Sequence, residues 1–310
     1  MRNLLAILIV SSLAWGTSVH AFETVKVSDR VYALVGDLGQ RSPENLGHNM
    51  TSGFIVADDA VAVVDPGACR AGAKRIEAAV RTVTDKPIRW VINSGAQDHR
   101  WLGNGWFKER GASIIASKAA REYMAASSEA QLAGIKKWVG KGCDGTEPVL
   151  PDVTFKESYE LPLTGVRVEL RFTGGAHTPG DAFVWLPDEG ILFTSDTVYV
   201  QRLLGVFPNG TMRWIRSLEF MRDELKPKVI IPGHGQVADL DKAIRDTYGY
   251  LTMLRDRIQA RIDDGAFDAV EAAQGLDQSD FSYLTNWDQL SFRAMNAQHV
   301  AEELFRGQNE

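Results

Sequence analysis

Four short turns in this 310-residue chain carry the residue types that hold a hydrolytic metal ion. The first is Asn93-Ser94-Gly95-Ala96-Gln97-Asp98-His99-Arg100, and the second, Gly175-Ala176-His177-Thr178-Pro179-Gly180-Asp181, carries His177. The third is Thr194-Ser195-Asp196 and the fourth Pro232-Gly233-His234-Gly235. A metal that activates water needs imidazole and carboxylate ligands presented rigidly from several strand ends, with one position left open. Asp98, His99, Asp196 and His234 supply two carboxylates and two imidazoles, each on a turn directly after an apolar run. A single histidine is more often a structural hydrogen-bonder than a ligand. Here three of the six histidines, His99, His177 and His234, fall in Gly-flanked turns of this kind, and zinc is the ion expected of the set.

The elements that must position these turns follow from hydrophobic periodicity. Short strands are predicted over 25–27, 31–35, 53–56 and 60–64, closed by Asp65-Pro66-Gly67. Apolar residues at helical spacing follow over 71–82, then a strand over 88–92, a helix over 101–110, a strand over 113–116 and a long helix over 118–139. Residues 143–152 read as a loop. A second strand-rich block spans 166–172, 182–186 and 191–194, followed by a helix over 212–225 and a strand over 229–231. Two β-rich halves, each followed by helices, predict an α/β sandwich of two sheets with helices on both outer faces. Beyond Asp239 the composition shifts to amphipathic helices over 241–263 and 287–305. The expected organisation is a signal peptide over 1–21, a main domain over 22–240 and a helical extension over 241–310. The extension is read as a cap on the core, with homodimerisation as its second use.

A net charge of −6 and the lack of any basic run argue against nucleic acid as a partner and leave a small-molecule substrate. Met1-Arg2, the apolar stretch 4–15 and Val19-His20-Ala21 read as a secretory signal cut after Ala21. The apolar run is too short to span a bilayer comfortably, and no other stretch is apolar enough, so the mature protein is expected to be periplasmic without a membrane span. Cys69 and Cys143 are the two cysteines; their spacing does not say whether the sulfurs meet.

The four turns together resemble the metal site of the metallo-β-lactamase superfamily, whose fold is a four-layer αβ/βα sandwich. In that family the first motif reads His-x-His-x-Asp-His, and here Ser94, Gly95 and Ala96 stand where the two leading histidines would be. In dinuclear members such as glyoxalase II, one metal takes the leading histidines and the residue matching His177. The other takes residues matching Asp98, His99 and His234, and the carboxylate matching Asp196 bridges the two. The resemblance therefore implies a mononuclear site, with Asp98 and His177 at the chemistry itself and His177, freed from ligation, handling protons or an oxyanion. It also implies that Asp65 braces the metal loop from behind.

Gln97-Asp98-His99-Arg100-Trp101-Leu102-Gly103-Asn104-Gly105 and the segment from Leu38 to Gly47 are similar to a narrower, exported branch described as quinoprotein relay system or SoxH-like metallohydrolases. The activity so implied is hydrolysis of an ester, thioester or amide by metal-activated water. The alternative is a non-hydrolytic, metal-binding accessory protein with a periplasmic redox partner. Three further residues draw notice: His48, expected in an exposed loop over the site, and Arg202 and Arg100, candidates for holding an anionic substrate.

Overall fold

The structure, a computed structural model, describes residues 22–208 and 210–307. The signal segment expected over 1–21 lies outside the described residues. The strands are β1 (Glu23–Lys26), β2 (Val31–Val35), β3 (Thr51–Val56), β4 (Val61–Val64), β5 (Ile88–Asn93), β6 (Ser113–Ser117), β7 (Val153–Phe155), β8 (Ser158–Glu160), β9 (Glu169–Phe172), β10 (Ala182–Leu186), β11 (Ile191–Phe193) and β12 (Val229–Ile231). The helices are α1 (Arg70–Arg81), α2 (Asp98–Trp101), α3 (Asn104–Lys108), α4 (Lys118–Val139), α5 (Thr211–Phe220), α6 (Leu240–Ala243), α7 (Gly249–Asp263), α8 (Ala269–Ala273) and α9 (Gln289–Gly307).

One sheet of seven strands runs β1 to β7 in chain order, antiparallel through β4 and parallel from there. The second has five strands in the order β12-β11-β10-β9-β8. Period-two alternation divides each strand between two cores. In β4, Ala62 and Val64 face the second sheet, where they meet residues such as Val184, Phe193 and Ile231. Val61 and Val63 of the same strand pack outward on Ile76 and Val80 of α1. The outer face of the second sheet (Phe183, Leu192, Ile230) is covered by Trp214 of α5, Leu251 and Leu254 of α7 and Val300 of α9. This is the expected mixed α/β sandwich with helices on both faces, and the C-terminal helices share its core. No helix of the described residues is long and apolar enough to cross a membrane.

Cys69 and Cys143 form a disulfide, with Cα atoms 4.9 Å apart. It joins the start of α1 to the turn that follows α4, and both residues are fully buried beside Trp101, Met124 and Ile135. The helix expected over 101–110 is two short ones that meet at Gly103, whose N donates to Gly67 O and which lies against the Pro66 carbonyl where no side chain fits. Strands β7 and β8 fall between the loop expected over 143–152 and the strand expected from 166, where no element was expected.

Candidate metal centre

The strand ends bring three of the four turns to one point. The loop after β5 is fastened by a reciprocal amide pair, Asn93 Nδ2 to Asn104 Oδ1 and Asn104 Nδ2 to Asn93 Oδ1, each 2.9 Å. Asp65, at the end of β4 with a left-handed φ of 60°, accepts from Ser94 N (2.8 Å) and Ser94 Oγ (2.6 Å). Such a φ is costly for a residue with a side chain, and the bonds at Asp65 hold it there. Ser195, next to Asp196, has φ 53°. Thr51 ties the two sheets together at the last turn, its N donating to Gly233 O and its Oγ1 to Gly235 O.

At the convergence, ligand atoms of His99, Asp196 and His234 lie within 4.8 Å of one another, and all three residues are buried. His99 Nε2 faces Asp196 Oδ2 at 3.4 Å, and His234 Nε2 faces Asp196 Oδ1 at 3.0 Å. The opposite ring nitrogens are engaged from behind. His234 Nδ1 is 2.8 Å from the Asn49 carbonyl, which can only accept, so Nδ1 donates and Nε2 carries a lone pair. His99 Nδ1 lies 3.0 Å from Asp98 Oδ1. Arg41 Nη2 is 2.7 Å from both Asp98 Oδ1 and His99 Nδ1; the carboxylate, an acceptor only, takes hydrogen bonds from both nitrogens. His99 Nε2 is then left buried with no hydrogen-bond partner. Two imidazole lone pairs aimed at a carboxylate repel unless a cation joins them. The donor set therefore fits a borderline-soft divalent ion such as zinc, with carboxylate and carbonyl behind the histidines fixing their tautomers.

Asp98 is not among the converging atoms. Its carboxylate sits behind His99, and although burial pushes its pKa up, Arg41 and His99 outweigh this and hold it well below the usual carboxylate range. Asp196 is likewise ionised: burial opposes the charge, but Arg100 and His99 overcome it. Burial drives His234 well below the ordinary histidine pKa, with Arg202 adding to the effect, so the ring is neutral as ligation requires.

His177 lines the same pocket, its ring 4.5 Å from Phe207 and 5.3 Å from Trp214. Burial lowers its pKa to about 4, so it is a neutral base at neutral pH, and its Nδ1 is buried without a partner. Asp181 accepts from Thr178 N and Oγ1, both 2.7 Å. It is pushed up to about 7 by burial and the nearby Asp196 charge. A Cβ at Gly95 would stand 2.6 Å from Asp181 Oδ1 and 2.5 Å from Ser195 Oγ, so the loop closes down here.

Two expectations need correction. Arg100 does not reach substrate: it is fully buried, giving Nη1 to Asp65 Oδ2 (2.8 Å) and Thr51 O, and Nη2 to Asp196 Oδ1 (2.6 Å) and Gly233 O. It is a counter-charge inside the loop. His48 is not exposed either. It is 1% accessible, its ring 4.6 Å from that of Phe22, with Nε2 3.3 Å from Leu34 O. Arg41, whose role was not foreseen, reaches Asp98 across 57 positions; no local pattern announces such a contact.

A sequence profile of the metallo-β-lactamase superfamily matches residues 47–234, more than half of the chain, and the chain belongs to that superfamily. Its members typically bind zinc and are mostly metal-dependent hydrolases. Solved structures agree at the level of fold. A metallo-β-lactamase from Pontibacter korlensis is 18% identical with TM-score 0.60, the match covering 74% of this chain and 99% of that one. The stereoselective inverting sec-alkylsulfatase Pisa1 from Pseudomonas sp. is 16% identical with TM-score 0.68, covering 91% of this chain but only 50% of its own. The DIM-1 metallo-β-lactamase is 18% identical with TM-score 0.57, covering 74% of this chain and 97% of its own.

Proposed function

We propose that this protein is an exported, zinc-dependent hydrolase with a mononuclear site, cleaving an ester, thioester or amide bond. It would fall in the quinoprotein relay system or SoxH-like branch of the superfamily. The observation that carries the reading is the pair of Nε2 lone pairs, on His99 and His234, converging on ionised Asp196. His99, His234 and Asp196 would hold zinc there, which would supply Lewis acidity and the acidification of water to a pKa of about 7. Asp98 orients His99 from behind and keeps its Nδ1 protonated, while Asn49 does the same for His234. His177, neutral and with an unpartnered Nδ1, takes up a proton or hydrogen-bonds the reacting group.

Two observations support one ion rather than two. Ser94 is committed to Asp65, and Asp196 already carries the Arg100 guanidinium. The buried disulfide supports an oxidising compartment, as export to the periplasm requires.

Metal-to-protein ratio, measured together with turnover of ester, thioester and lactam panels, tests the reading. We expect one zinc per mature chain, lost in His234→Ala, and hydrolysis on one panel that falls at least about 100-fold in His177→Ala, at the low end for a lost general acid or base. Two tightly bound ions, or none, overturn the mononuclear site. One zinc with no hydrolysis leaves the non-hydrolytic accessory role.

A further inference from the structure

The pocket over His99 and His234 contains a buried cation that no carboxylate of the described residues contacts. Arg202 is 4% exposed, yet its guanidinium meets no carboxylate within salt-bridge distance among the described residues. Nη1 donates to Asn49 O at 2.8 Å and lies 3.1 Å from His234 Nδ1, Cζ stands 4.7 Å over the Trp287 ring, and Nε is buried without a partner. Other sequestered arginines of this protein are matched: Arg100 has Asp65 and Asp196, and Arg255 has Glu303. Asp196 and Asp37 favour the Arg202 charge only from beyond contact distance; a buried charge with no counter-charge in contact is expensive, and an aromatic face offsets only part of that cost.

Arg41 enters the same pocket. Its Nη2 holds Asp98, while its Nε is also buried and unpartnered. The pocket has a volume of about 240 Å³, with both arginines and the three histidines in its lining. Phe207, Phe292 and Met295 supply an apolar wall, two of them from the C-terminal extension. The volume is below the roughly 300–1,000 Å³ of sites for drug-sized ligands, so the occupant is small.

We propose that this pocket seats a compact organic anion. Its carboxylate- or sulfate-type oxyanion lies on Arg202, assisted by Arg41, and its short apolar body lies against Phe207, Phe292 and Met295. This rests on the hydrolase reading only for what happens at the histidine end, where the scissile bond would lie. The anion seat itself needs no metal.

Calorimetric titration of the folded mature protein with hexanoate, hexyl sulfate and the neutral hexanamide, before and after metal removal by chelator, tests the seat. We expect at least one anion to bind about 10-fold or more tighter than hexanamide in both preparations, the scale of one charge-assisted hydrogen bond. The tighter of the two anions identifies the head group. Arg202→Gln should abolish the preference and Arg202→Lys retain part of it. If Arg202→Gln does not fold, Arg41→Gln reads the same seat, and a loss of about threefold or more supports it. Equal binding of hexanamide, or an anion preference that vanishes with the metal and survives in Arg202→Gln or Arg41→Gln, overturns the proposal. Zinc bound without hydrolysis would defeat the proposed activity and leave this seat standing.

Discussion

At the scale of single residues, the centre depends on charges placed where water cannot screen them. Arg100 neutralises Asp65 and Asp196 at once, and all three are buried. Removing one partner of such a cluster is far costlier than the net worth of the pair, because the remaining charges stay buried. Arg100→Leu should therefore lose about 3–5 kcal/mol of unfolding free energy in a urea titration. A loss under about 1 kcal/mol, as for surface pairs, would show that the cluster is not carrying this load. His48 reports on pH. Burial lowers its pKa to about 3, so between there and the ordinary 6.5 the unfolded chain binds a proton that the folded chain refuses. Its contribution is complete above pH 6.5 and is lost as pH falls, at about 1.4 kcal/mol per unit. Between pH 7 and 5 the stability of His48→Gln should decline by about 2 kcal/mol less than that of the native protein.

At the scale of elements, legibility tracked the strength of local pattern. Helix α4 occupies the predicted span 118–139, and β2, β10 and β12 lie where alternation or an apolar run put them. Strands β7 and β8 escaped because each is a three-residue edge strand, and Thr154, Ser158 and Glu160 are exposed, leaving no apolar run to read. Motif turns singled out His99, His177, Asp196 and His234 because each turn is a local feature, and the structure gathers His99, Asp196 and His234 at one point with His177 in the same pocket. The orientation of Asp98 behind His99 was not legible, because it depends on Arg41, supplied by the segment before β3. The pairing of Cys69 with Cys143 was also out of reach, because 74 positions separate them. That bond clamps α1 to α4 beside the metal loop, so Cys143→Ser should cost about 2–5 kcal/mol. Thermal melts check it: reductant should lower the melting temperature of the native protein and leave that of the variant unchanged.

At the scale of the whole molecule, both sheets and the C-terminal helices meet at one pocket. The first sheet brings His99, the second leads to Asp196 and His234, and the extension brings Trp287, Phe292 and Met295. Ligation across the two sheets would make a bound metal a structural link, since anything that binds only the folded state stabilises it by mass action. Chelator should lower the melting temperature of the zinc-loaded protein by several degrees. In His99→Ala the same addition should change nothing, and an equal shift there would place the stabilising ion elsewhere.

The double attachment at Asp65 bears on how this sequence can change. Ser94 and Arg100 both bond that one carboxylate, and Arg100 also holds Asp196. A histidine at position 94 would forfeit the Ser94 Oγ bond to Asp65 while the guanidinium still occupied Asp196. Losing Arg100 first would strand two buried anions. Each substitution made alone would break a buried bond network, so position 94 and position 100 are coupled, and a change at one is tolerated only with a matching change at the other.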